Sequence, residues 1–142
     1  MKRVLVPQPR QFSDAEKAGA GLRTFFNIAE SRWHLSTLEQ LSLLGQPGRA
    51  TLDRWKKRAR AGESFDIGRD KLDRLSYLMG IFKALNILYE RQDLADRWLR
   101  APNTHPAFAG ATPLDFMVNG GGITELYKVR SLLDDWRGGW AS

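Results

Sequence analysis

The segment from Arg49 to Arg60, RATLDRWKKRAR, carries six basic side chains against the one carboxylate of Asp53. Guanidinium and ammonium groups along a helix suit one chemistry above others: contact with phosphates, while the N-terminal turn reaches base edges in a groove. At about 100° per residue, Leu52, Trp55 and Ala59 share an inner face, and Arg54 and Lys57 fall opposite it. Thr51 and Arg58 lie on one flank, Lys56 and Arg60 on the other. Arg49, Thr51 and Arg54 are therefore the candidates for base or near-base contacts, and Lys56, Lys57, Arg58 and Arg60 for phosphate contacts. The other reading is a solvated helix end, where Lys and Arg oppose the negative pole of the dipole. Local sequence weighs the two evenly.

Catalytic chemistry is not visible. With no cysteine there is no disulfide, thiolate metal site or cysteine nucleophile. His34 and His105 stand without carboxylate or histidine partners at metal-ligand spacing. Asp134 and Asp135 are adjacent on a helix and diverge by about 100°, which unfits them for a shared proton. Gly120-Gly121-Gly122 lacks the strand and Lys-Ser/Thr context of a phosphate loop and reads as a helix stop. No enzyme, cofactor or metal is expected. A protein-binding site is expected instead on C-terminal groups that a helical core does not need: Arg130, Asp134, Trp136, Arg137 and Trp140, since Trp and Arg are enriched at binding hot spots. Trp140 follows the Gly138-Gly139 break and has no evident core to join, unless it folds back on Tyr127 or Trp136.

These residues need a helical scaffold. At 142 residues with 42% hydrophobic content and five tryptophans, the chain can bury a real core as one domain or two small lobes. The net charge of +6 favours a polyanionic partner, and the excess is local. Residues 1–68 hold 12 Lys/Arg against 7 Asp/Glu, whereas 69–142 hold 10 against 9. Residues 1–18, with two prolines and no periodicity, read as a flexible lead-in. Residues 19–66 read as a helix-turn-helix region: a first helix from Ala20 to Trp33, a second capped by the Ser36-x-x-Glu39 box, the Gln46-Pro47-Gly48 turn, and the basic helix. Residues 67–92 form a central spine, RDKLDRLSYLMGIFKALNILYE from Arg69 to Glu90, whose apolar band is wide enough to be covered on two sides. Lys83 and the polar flanks exclude a membrane span, which needs about 20 nearly uninterrupted apolar residues. Residues 93–142 follow as short helices. Thr112 as N-cap, Pro113 at the first helical position and Asp115 in the first turn mark one start. Another helix is expected from Ile123 to Trp136. No strand is persuasive, so the class is all-α. Val4-Leu5-Val6 before Pro7 is too short for a secretory core, so a cytoplasmic location is expected.

The C-terminal run Trp98-Leu99-x-x-Pro102-Asn103, then Gly110-x-Thr112-Pro113-Leu114-Asp115 and the glycines at 120–122, resembles the toxin-binding domain of Xre/MbcA/ParS-type antitoxins. The basic segment and spine are similar to the N-terminal region of that family, so the resemblance spans about residues 25–138. It implies a type II antitoxin paired with a RES-domain, NAD-consuming toxin, commonly dimeric, forming a hetero-oligomer with the toxin and repressing their shared operon at operator DNA. A dimeric helical repressor without a toxin is the alternative. On the resemblance, residues 137–142 are expected to reach the toxin's substrate cleft, with Arg137 and Trp140 as anchors. Trp98, Leu99, Leu114 and Met117 are expected in the core, and Asn103, Gly110 and Thr112 in a turn and a cap.

Overall fold

The computed structural model describes residues 5–138. Among these the chain is all-α: α1 (Asp14–Ser31), α2 (Thr37–Leu43), α3 (Arg49–Arg60), α4 (Arg69–Leu88), α5 (Gln92–Arg97) continued by one 3-10 turn (Trp98–Arg100), α6 (Pro113–Gly120) and α7 (Ile123–Gly138). No described helix is long and apolar enough to cross a membrane.

The helices pack in the order α3, α1, α4, α7, each against the next, with α2 seated on α6. α4 is covered on two sides, by α1 and α7, as its broad apolar band requires. Leu75, Leu78, Ile81, Ala84 and Leu85 are buried in it, while Leu72, Met79 and Phe82 lie half-buried at the margin. α1 brings Leu22, Phe25, Phe26 and Ala29 to the same core, and α7 brings Leu126, Val129 and Leu133. One cluster of buried side chains therefore runs through both halves of the chain.

α1 starts at Asp14 rather than at the expected Ala20, so residues 14–18, read as lead-in, are helical. The cause is a second capping box: Ser13 Oγ accepts from the Glu16 amide at 3.1 Å, and the Glu16 carboxylate accepts from the Ser13 amide at 3.2 Å. The predicted box on α2 forms in the same way between Ser36 and Glu39. α7 runs two residues past the expected Trp136, to Gly138.

Polar contacts cross between the halves. Ser42 Oγ on α2 donates to the Val118 carbonyl of α6 at 2.8 Å. Arg74, 8% exposed, bonds Asp70 at 3.1 Å and donates to the Gly121 carbonyl at 3.2 Å. Its side chain runs beside Gly45, where a Cβ would lie 2.7 Å from Nε. Arg32 bonds both Asp96 oxygens, at 2.9 and 2.8 Å. Arg100 donates to the carbonyls of Trp33 and His34 and to Glu39.

Candidate nucleic-acid and partner interfaces

α3 is set off from α2 by residues in backbone conformations that favour glycine: Gly45 at φ +78°, Gln46 at +57° and Gly48 at +89°. Leu52, Trp55 and Ala59 are buried against α1, as the periodicity predicts. That orientation turns Arg54 and Lys57 to solvent.

The seven expected nucleic-acid residues all lie on α3, but their charges are not equally available. Arg49, Arg54 and Lys57 are exposed and have no carboxylate within ion-pair distance among the described residues. Arg54 leans on the hydroxyl of half-buried Thr51 at 3.4 Å. The other three cations are tethered. Lys56 Nζ stands 5.4 Å from the centre of the Phe26 ring. Arg58 stacks 4.4 Å over Phe65 and lies 3.8 Å from Glu63. Arg60 pairs with Glu30 of α1 at 2.6 Å. Exposed pairs of this kind contribute little stability, so a phosphate can compete for Arg60, but it must first displace Glu30.

In the C-terminal half most motif residues build the platform. Trp98, Leu99, Phe108, Leu114 and Met117 are buried. Trp98 meets Phe108 and Trp136 edge-on at 5.9 and 6.2 Å, and Phe108 meets Phe116 at 5.5 Å, geometries that favour aromatic pairs. The Asn103 amide donates to the Ala111 carbonyl at 3.1 Å, the Gly110 amide donates back to Asn103 at 3.0 Å, and Asn103 Oδ1 accepts from the His105 amide. Thr112 Oγ1 accepts from the Asp115 amide at 3.0 Å, capping α6. These are the structural roles expected of Asn103, Gly110 and Thr112.

Of the expected partner-binding residues, the fold brings Arg130, Asp134 and Arg137 together on one side of α7. Arg130 Nε bonds Asp134 at 2.9 Å, and Arg137 approaches the same carboxylate at 3.8 Å. With Ile87, Leu88 and Gly138 they line an open cleft of about 720 Å³. Gly80 on α4 makes this possible, because a Cβ there would lie 1.7 Å from Arg130 Nη1. Trp136 does not belong to the groups that the fold can spare: its half-buried ring stands 6.0 Å from His105 and edge-on to Trp98. Trp140 lies outside the described residues. Ile87, one of the apolar residues in the spine sequence, is 53% exposed at this cleft, and sequence reasoning did not single it out. No local signal marks it, since its exposure is set by where α7 crosses α4.

The sequence model for the antitoxin Xre-like helix-turn-helix domain matches residues 11–80. That for the antitoxin Xre/MbcA/ParS C-terminal toxin-binding domain matches residues 84–139. The uncharacterized protein y4oB of Sinorhizobium fredii is 44% identical over 127 residues, covering 89% of this chain and 92% of that protein. No solved structure gives a significant match.

Proposed function

The chain belongs to the Xre/MbcA/ParS antitoxin family, with a helix-turn-helix domain followed by a toxin-binding domain, and on that premise we propose that it neutralises a RES-domain, NAD-consuming toxin and represses the operon that encodes both. The observation that supports this most directly is the separation of two unlike surfaces. The α3 cations without an ion pair among the described residues and the Arg130–Asp134–Arg137 cleft, which α7 forms with the C-terminal end of α4, lie on different members of the packing series α3, α1, α4, α7.

On this reading Arg49, Thr51 and Arg54 approach bases, and Lys56, Lys57, Arg58 and Arg60 approach phosphates. Arg130, Asp134, Arg137 and Trp140 meet the toxin, with residues 137–142 directed to its substrate cleft, and Trp136 contributes only the part of its ring that the aromatic cluster leaves uncovered. The protein acts in the cytoplasm as a homodimer and forms a hetero-oligomer with the toxin. Two arms test the proposal. Co-expression with the protein of the adjacent reading frame should yield one complex and restore growth; a neighbour that kills cells regardless overturns the toxin arm. Duplex from upstream of the gene should be retained at low ionic strength; no retention, with or without the toxin, overturns the operator arm. Deleting residues 137–142 should keep the helical content and weaken inhibition, and full inhibition by the truncated protein excludes the tail.

A further inference from the structure

We propose that Asp53 is a specificity-determining residue of the nucleic-acid face, its carboxylate accepting a hydrogen bond from the N4 amine of a cytosine in the major groove. The inference rests on the DNA-binding reading above and assigns a base preference to that site. With Leu52, Trp55 and Ala59 turned inward, helical geometry sends Ala50, Asp53, Arg54 and Lys57 outward as one stripe. All four are exposed. The methyl of Ala50 leaves the N-terminal end of the stripe without bulk, so the backbone there can approach a groove floor closely.

Asp53 is an acid in the middle of a surface otherwise suited to polyanions. Arg49 and Lys57 stand one turn away on either side and Arg54 is adjacent, yet Asp53 forms no ion pair among the described residues. The order of Asp53 and Lys57, acid before base at four-residue spacing, is the favourable one for pairing. The carboxylate is thus left available. Against phosphates it is purely repulsive, so its place on this stripe gains affinity only where a base offers a donor. In the major groove two bases do so, cytosine through N4 and adenine through N6. Adenine sets the N7 acceptor beside N6, and an ionised carboxylate can only accept. Cytosine is the base that fits.

The experiment uses the full chain and a duplex pool with a randomised central segment, sequencing the bound fraction for wild type, Asp53→Ala and Asp53→Asn, with a fixed arbitrary duplex measured alongside. Wild type should prefer cytosine at one base pair of each half-site, by roughly 5- to 150-fold over the other bases, the usual cost of one mismatched base pair. Asp53→Ala should lose that preference while binding the arbitrary duplex more tightly, because a negative charge has gone. Asp53→Asn should move the preference at the same base pair to adenine, whose N6 and N7 an amide can satisfy together. If Asp53→Ala tightens binding to every sequence alike and leaves each positional preference unchanged, Asp53 is only a repulsive charge and the assignment is overturned. If wild type binds no duplex at low ionic strength, the DNA-binding reading fails and this inference with it.

Discussion

Lys57 and Arg60 carry the same charge three residues apart on α3, but only Arg60 has a carboxylate at 2.6 Å. A phosphate contact by Lys57 releases a counterion outright, whereas one by Arg60 must first free Glu30. Lys57→Ala should therefore flatten the salt dependence of duplex binding by about 0.9 log units per decade of salt, and Arg60→Ala by less. Equal slopes for the two variants would show that Glu30 does not compete. Glu39 offers a second contrast at this scale. Partial burial pushes its carboxyl up, but the Ser36 amide and the Arg100 guanidinium outweigh that and hold it below the ordinary 4.5. Because the folded value is depressed, its contribution to stability is complete above about pH 4.5 and is lost as pH falls through the folded value. Gln at this position can keep the capping bond but not the charge, so Glu39→Gln should cost no more than about 1 kcal/mol at neutral pH. It should also shallow the acid limb of the melting temperature against pH. An unchanged acid limb would assign the sensitivity to other carboxylates.

Two glycines separate the kinds of contact between elements. At Gly19 a Cβ would meet the Glu63 carbonyl oxygen at 2.2 Å, and backbone on both sides cannot yield cheaply. Gly19→Ala should destabilise by about 1–3 kcal/mol, read as a lower melting temperature, despite the better helix propensity of Ala. At Gly80 the obstacle is the tip of Arg130, a flexible side chain. The propensity gain of about 1 kcal/mol then offsets the displacement, so Gly80→Ala should melt at or above the wild-type temperature. On the proposed function it should still weaken toxin binding, because Arg130 is pushed out of the cleft. A large stability loss at Gly80 would mean that Arg130 is held more firmly than its half-exposed position implies.

The molecule as a whole is more integrated than its two family matches. The helix-turn-helix match stops at residue 80, yet α4 runs to Leu88 and buries Ile81, Ala84 and Leu85 beyond that point. Removing residues 93–142 would strip α7 from α4, α6 from α2, and the carbonyl and carboxylate partners of Arg74 and Arg32. A fragment of residues 1–92 should therefore lack a cooperative thermal transition, while the full chain melts in one step by circular dichroism and by tryptophan fluorescence. A sharp transition in the fragment would show that the N-terminal helices hold together alone.

Periodicity and caps alone determined the all-α class, the inner face of α3, the α2 cap and the α6 start, because each depends on residues within one or two turns, whereas packing on two sides made Leu78 and Ile81 the buried face of α4 and left Leu72, Met79 and Phe82 at its margin. The Ser13-x-x-Glu16 box is equally local and equally legible, and it sets the start of α1 at Asp14. Tertiary packing decided the rest. Which α3 cations are free depends on Glu30, Phe26, Glu63 and Phe65, reached through folding rather than spacing. The assignment of Trp136 to an aromatic cluster depends on where α7 meets Trp98 and His105, and that of Ile87 to a cleft on where α7 crosses α4. A helical repeat states which way a side chain points, and only the neighbouring element determines what it meets there.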